Sequence, residues 1–259
     1  MNIGIVVQAR MASTRLPCKV LADIEGLPLL AHVFRRVSAS TKCSKLVLAT
    51  TLDKLDDLLV PIAEQHGVSV VRGSEHDVLS RYHQAAAEHR LDTIVRITAD
   101  DPFKDPQIID RIVDAYIDGA CDYASNTLKP TYPEGLDVEV FSFDVLEQAF
   151  REAKIDYQRE HVTPFIWEQP DRFLLLSVTQ SQDCSAMRWT IDTEQDLNFA
   201  RAVYARLYPR NELFLMSDVL SLLDSSSEVL SLMPRIARNA GLTQSKQAAK
   251  RLTSISESQ

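Results

Sequence analysis

Apolar residues fall in short unbroken runs along the first hundred positions, separated by stretches with helical apolar spacing. Ile3-Gly4-Ile5-Val6-Val7 is rich in β-branched residues and reads as a strand buried on both faces of a parallel sheet. From Pro28 to Val37 the spacing predicts a helix, with Pro28 at a tolerated first-turn position. Lys45 to Thr51 gives a second strand, Asp53 to His66 an amphipathic helix closed by Gly67, and Val68 to Val71 a third strand. A helix continues to about His89, and Thr93 to Thr98 is the fourth strand. Strands alternating with helices build a parallel sheet covered on both faces, so the pattern predicts a Rossmann-like α/β fold.

After about residue 120 that rhythm breaks. A helix over Pro106 to Asp118 is followed by a strand within Cys121 to Asn126, and then by turn formers from Thr127 to Leu136. Asp137 to Phe141 alternates as a half-exposed strand would, and Ser142 is placed to cap a helix from Phe143 to Lys154. Phe173 to Thr179 reads as a strand, as does a run ending at Asp192, where Thr193 caps the next helix. Helices over Leu197 to Tyr208 and Ser217 to Leu232 follow. The expectation is one α/β domain over residues 1–235, with a nucleotide half to about 120 and an acceptor or dimerisation half beyond it. Residues 236–259 form a polar tail, expected to be mobile or marginally helical.

Composition narrows the class. The chain has 259 residues, 45% hydrophobic and 25% charged, with a formal net charge of −8. Such a balance argues against general nucleic-acid binding, and no basic stripe relieves it. No apolar run approaches the roughly 18 residues needed to span a bilayer, and no charged-then-apolar leader precedes the first strand. A cytoplasmic protein with no membrane partner is expected. Cys18, Cys43, Cys121 and Cys184 form no C-x-x-C pair, which suits reduced thiols. The glycines form neither G-x-G-x-x-G nor G-x-x-x-x-G-K, which excludes dinucleotide and P-loop readings.

The candidate chemistry starts where the first strand ends. The loop after Gln8 and Ala9 carries Arg10, Arg15 and Lys19 beside Ser13 and Thr14, at the carboxyl edge where open α/β sheets bind ligands. Guanidinium groups fork onto phosphate oxygens and small residues let backbone N–H groups approach, so the loop can receive a polyphosphate; a solvated basic loop is the alternative. At the end of the fourth strand, Asp100 precedes Asp101-Pro102, and a carboxylate there is costly without a cation or hydrogen-bond partner. Asp101 reads as a turn or cap residue for the helix at Pro106. His32 reads as a packing residue rather than a ligand.

Gln-Ala-Arg-x-x-Ser-x-Arg-Leu-Pro-x-Lys at 8–19 resembles the opening signature of the CMP-sugar (acylneuraminate-type) cytidylyltransferases, most of all their spore-coat polysaccharide biosynthesis branch. The resemblance implies a fold of the nucleotide-diphospho-sugar transferase type. It also implies that Arg10, Ser13, Arg15 and Lys19, with Gln8 and Ala9, hold the triphosphate of CTP. Cys18 stands where relatives often carry Gly, so a positive φ there would strain it. Arg72 and Ser80 match the segment that contacts base and ribose, although helix capping by Ser74 and Asp77 explains part of that stretch.

The same resemblance makes Asp100 and, in Ile-Asp-Thr-x-x-Asp-Leu, Asp192 the ligands of Mg²⁺, with Asp196 a weaker supporting candidate. Arg159-Glu160-His161-Val162-Thr163-Pro164 resembles a spore-coat signature, so Arg159, Glu160 and His161 are candidates for acceptor contact or for a subunit interface. Glu134, Asp137 and Glu139 are candidates for hydroxyl or amide recognition, the alternative being solvated strand carboxylates. The implied reaction transfers CMP from CTP to an acidic keto sugar of the nonulosonic or octulosonic type, releasing pyrophosphate, in a homodimer. The other readings are a sugar-phosphate nucleotidyltransferase or glycosyltransferase using another nucleotide, the latter disfavoured because no D-x-D occurs, and a catalytically silent nucleotide-binding module.

Overall fold

The computed structural model describes residues 1–238 and 240–256, with side chains to residue 249. Its centre is a seven-stranded sheet built from β1 (Ile3–Gln8), β4 (Lys45–Thr51), β5 (Ser69–Gly73), β6 (Thr93–Thr98), β7 (Tyr123–Ser125), β8 (Glu139–Ser142) and β9 (Leu175–Ser177). A separate two-stranded ribbon, β2 (Asp23–Ile24) with β3 (Leu27–Pro28), follows the first loop. The order across the large sheet is β5-β4-β1-β6-β8-β7-β9. Only β8 runs against its neighbours, pairing antiparallel with both β6 and β7.

The period-two geometry of β1 sends Ile5 and Val7 to one face and Val6 to the other, and each face is covered by helices. On the first lie α1 (Leu29–Val37), α4 (Pro106–Asp118) and α8 (Glu194–Leu207), contributing Phe34, Ile109 and Val203 to that core. On the second lie α3 (Val78–Glu88) and α5 (Phe143–Glu152), contributing Leu79, Tyr82 and Leu146. The hydroxyl of Tyr82 donates toward the carbonyls of Val6 at 3.2 Å and Ile97 at 3.1 Å, so a polar group buried under the sheet is satisfied. The remaining helices are α2 (Leu59–Gln65), α6 (Asp156–His161), α7 (Pro164–Trp167), α9 (Met216–Ser225), α10 (Ser227–Leu232) and α11 (Ala240–Ser256).

Local signals explain the helix starts. Asp105, not Asp101, caps α4 by accepting from Gln107 and Ile108. Ser142 caps α5, and Thr193 forms a reciprocal capping box with Asp196 at α8. His32 is buried, its ring within 2.7 Å of the Ile24 carbonyl and edge-on to Tyr204, as a packing residue would be.

Two expectations for the second half are corrected. The run that ends at Asp192 is not a strand; it touches the preceding turn through a single bridge between Glu134 and Arg188. In the alternating segment Asp137 to Phe141, Val138 to Phe141 are buried rather than half-exposed, and Glu139 can be so because it opposes Arg96 in the β6–β8 register and the two form an ion pair. The polar stretch after residue 236 takes the helical one of its two expected forms, as α11.

Gly135 makes that bridge possible. It has φ of +106°, and a Cβ there would lie 2.7 Å from the backbone of Trp189 and Thr190. Gly135→Ala is therefore expected to destabilise the protein by roughly 2–5 kcal/mol, the sum of backbone strain and overpacking against atoms that cannot yield. Calorimetric melting of the purified variant checks this, and a transition matching that of the parent would refute it.

Candidate active site

The loop after β1 is fixed from beneath by a buried carboxylate. Asp56 accepts from the Met11 backbone N–H at 2.7 Å and from Thr50 and Thr51 at the end of β4. Met11 in turn receives the N–H groups of Ser13 and Cys18 on its carbonyl. The Leu16 N–H points back to Ser13 Oγ at 3.4 Å, so Ser13 braces the loop from within. Cys18 adopts φ of 58° and ψ of 19°, the left-handed conformation anticipated for that position.

That turn delivers Lys19 into the centre of the site. Its side chain is 11% exposed, and its ammonium donates to Asp100 Oδ2 at 2.8 Å, Asp192 Oδ1 at 2.8 Å and the Ile191 carbonyl at 2.7 Å. Burial pulls the Lys19 ammonium down, but the two carboxylates outweigh it and its pKa is raised. The Asp100 carboxyl is opposed by burial and favoured by Lys19 and Thr98, and it lies at about 2. Arg15 approaches the same oxygen of Asp192 at 2.8 Å. The end of β6, the loop after β1 and the turn before α8 thus converge on one cation.

Arg188 lies three residues before the Ile191-Asp192-Thr193 motif and has no role assigned from sequence, yet it organises this side of the site. Almost fully buried, it binds Glu134 at 2.7 Å, Asp192 Oδ2 at 2.8 Å and Asp196 Oδ1 at 2.9 Å. Burial lowers its pKa while the three carboxylates raise it further, and the net direction is up. Its signal in the sequence was a cation inside the apolar run Met187 to Ile191, which demands buried counter-charge. Arg96 in the middle of β6 gave the same signal.

Next to these groups opens a cavity of about 410 Å³, within the range of small-ligand sites. Its lining includes Arg15, Asp100 and Asp192, the polar side chains Arg96, Glu134, Asp137, Glu139 and Thr163, and the apolar Pro164 and Trp167. Glu139 is held by Arg96, by the Tyr123 hydroxyl at 2.6 Å and by Thr163 Oγ1 at 2.5 Å, and these partners outweigh burial to lower its pKa. Burial pushes Asp137 up despite its pairing with Arg238 and proximity to Lys104. Asp101 is buried against Lys104 at 2.9 Å and Thr98 at 2.7 Å; burial and the neighbouring carboxylates push it up to about 6.

Not every candidate reaches this cavity. His161 lines it, whereas Arg159 points into the scaffold, clamping Asp77 at 2.7 and 2.9 Å and the carbonyls of Phe150 and Ala153. Glu160 accepts from Ser245 on α11 at 2.9 Å. Arg72 is engaged by Asp57 at 2.5 Å and the Thr51 and Asp53 carbonyls, and Ser80 donates to the Asp77 carbonyl within its own helix turn. Arg10 leaves the loop toward Glu75 at 3.2 Å. Gln8 ends β1 beside Ala9, and the Gln8 carbonyl accepts from Ala99 at 3.1 Å, tying the loop to the Asp100 turn.

A basic loop and two convergent aspartates at the carboxyl edge of this sheet define a nucleotidyltransferase of the nucleotide-diphospho-sugar transferase fold. The family model described as Cytidylyltransferase matches residues 4–217, and the chain belongs to that family. It is 33% identical over 241 residues to the spore coat polysaccharide biosynthesis protein SpsF of Bacillus subtilis, covering 90% of this chain and 95% of that one. It is 31% identical over 185 residues to a 3-deoxy-manno-octulosonate cytidylyltransferase of Acidovorax sp., covering 64% and 66%. The structure of a cytidylyltransferase from Leptospira borgpetersenii superposes with a TM-score of 0.84 at 32% identity, covering 88% of this chain and 96% of that one.

Two outcomes follow from the loop geometry. Cys18→Gly removes a left-handed penalty of about 1–2 kcal/mol and adds chain entropy worth roughly 0.5–1 kcal/mol, so the variant is expected to melt a few degrees higher. A lower melting temperature would contradict the strain.

Because the Asp100 carboxyl is held at about 2 against an ordinary 3.8, its contribution to stability is present above pH 4 and is lost as pH falls through 2. Asp100→Asn should flatten that segment of the stability profile, measured by denaturant unfolding at stepped pH. An unchanged slope would show that the Lys19 pairing does not contribute.

Proposed function

We propose that this enzyme transfers CMP from CTP to an acidic keto sugar, with Mg²⁺, for surface polysaccharide biosynthesis. The observation that carries the reading is the convergence of Lys19 and Arg15 on Asp100 and Asp192 at the mouth of a cavity walled by polar side chains. Nucleotidyl transfer forms a bond between a sugar hydroxyl oxygen and the α-phosphorus of CTP. The bond from that phosphorus to the α,β-bridging oxygen breaks, pyrophosphate leaves with the electron pair, and the hydroxyl proton is released. The demand on the protein is charge neutralisation at the triphosphate and orientation of the attacking hydroxyl.

Arg15 and Lys19 supply the cations for the leaving pyrophosphate, and Arg10 joins them on release from Glu75. Two carboxylates already drawn to a common cation are a hard-oxygen donor set that fits Mg²⁺, which binds few protein groups and keeps phosphate oxygens and water as its other ligands. Asp100 and Asp192 would hold it, and when bound it neutralises phosphate charge. Arg188 keeps Asp192 in place by binding its second oxygen.

For the acceptor, the relatives include a 3-deoxy-manno-octulosonate cytidylyltransferase, and the cavity offers a matching group. Arg96 lines it and supplies a guanidinium whose charge favours an anionic sugar. Glu134, Asp137 and Glu139 are acceptors for sugar hydroxyls. The silent-module alternative has no need of both Asp100 and Asp192.

Calorimetric titration with CTP, UTP, ATP and GTP, each with and without Mg²⁺, tests the reading. Selective CTP binding strengthened by Mg²⁺ and weakened at least tenfold by Arg15→Ala is expected. Asp100→Asn and Asp192→Asn are expected to lower pyrophosphate release at least a hundredfold. Binding of no nucleotide, or full activity in both Asn variants, would overturn it.

A further inference from the structure

The helix α11 lies beyond residue 217, where the cytidylyltransferase match ends, yet Ala240, Gly241 and Leu242 in its first turn line the cavity. Several side chains seat it there. Ser245 Oγ lies 3.1 Å from His161 Nε2 and donates to Glu160 at 2.9 Å. Lys246 binds Glu168 at 2.6 Å, with its ammonium 4.6 Å from the centre of the Trp167 ring. Just before the helix, Arg238 pairs with Asp137 and donates to the Tyr132 carbonyl at 3.0 Å. The segment is thus fastened to the polar wall at one end and to α6 and α7 at the other.

This end of the cavity differs in chemistry from the rest. Leu128, Pro164, Trp167 and Leu242 give it an apolar lining, while the reacting end carries Arg15, Asp100 and Asp192. Between the apolar residues lies Gly241, where a Cβ would meet nothing within 4 Å, and whose backbone is outside the left-handed region. No backbone constraint calls for glycine there, and within a helix glycine is less favourable than alanine. What the missing side chain leaves is room.

Resting on the acidic-sugar reading above, we infer that Gly241 is a specificity-determining residue that sets the depth of the acceptor pocket. The first turn of α11 receives an apolar substituent of the sugar, such as the methyl of an acylamino group. An acceptor without such a substituent leaves this end unfilled and gives up the favourable burial of apolar surface. The nucleotide end is untouched by the same change. Pocket size at residue 241 and CTP affinity are therefore separable.

The test uses the full chain and its Gly241→Ala and Gly241→Leu variants, with N-acetylneuraminate and 3-deoxy-manno-octulosonate as the two probes. Pyrophosphate release is measured with each sugar, CTP binding by calorimetry, and folding by melting temperature. The parent is expected to favour the acylamino sugar at least threefold in kcat/KM. Gly241→Leu should reduce kcat/KM for that sugar at least tenfold, mainly through KM, with CTP affinity within twofold of the parent. Gly241→Ala, the conservative and helix-favouring change, should fall between the two.

An unchanged ratio between the sugars in both variants would overturn the assignment, as would a loss of CTP affinity equal to the loss of acceptor affinity. A parent that prefers the unsubstituted sugar overturns it as well. A parent that binds CTP but uses neither sugar overturns the acidic-sugar reading itself, and the assignment of this wall to such a substrate falls with it.

Discussion

The structure depends on a lysine ammonium taken almost wholly out of water. Lys19 can be buried only because Asp100 and Asp192 meet it at 2.8 Å, and those carboxylates come from the end of β6 and from the turn before α8. An isolated buried ion costs several kcal/mol, so three distant segments are constrained to arrive at one point. The neighbouring charges extend the constraint: Arg15 and Arg188 each take an oxygen of Asp192, and Arg188 reaches on to Glu134 and Asp196. Chemical function and folding specificity draw on the same set of charges here. Removing one member leaves the others buried without their counter-charge.

The part of the fold built from local pattern was legible in the sequence. Strands β4 and β6 and helix α4 have the bounds that their apolar runs and flanking residues predict, and the capping roles of Ser142 and Thr193 hold. In these segments neighbouring residues decide the outcome. Where long-range charge pairing decides it, reading along the chain misled. Glu139 looked like the polar side of a half-exposed strand, but its counter-charge is Arg96, far away in sequence and directly opposite in the sheet.

The candidate site divides in the same way. Arg15, Lys19, Asp100 and Asp192, singled out in separate motifs, lie within one network of ion pairs, and Cys18 has a left-handed backbone conformation that glycine would suit. Arg188 and Asp101 were not given a chemical role, because a residue whose partners come from three places carries no periodic signal. Arg72 and Arg159 look alike in sequence to any ligand-binding arginine, and only three-dimensional packing shows their guanidinium groups spent on Asp57, Asp77 and backbone carbonyls. The wall formed by α11 was hidden for a simpler reason. A polar helix with few large apolar residues offers little to read until the surface that receives it is known.

The single reversed strand has a mechanical consequence. Because β8 is hydrogen-bonded to β6 on one side and to β7 on the other, the strand that carries the basic loop and the residues that wall the cavity belong to one continuous sheet. Enzymes that join two substrates often shut around them by swinging one lobe against another about a flexible hinge. Here such a swing would have to shear a β-ladder through the middle of the core. The freedom that the fold leaves lies at the rim, in segments such as α11 that are fastened by side chains rather than by a ladder of strand pairing.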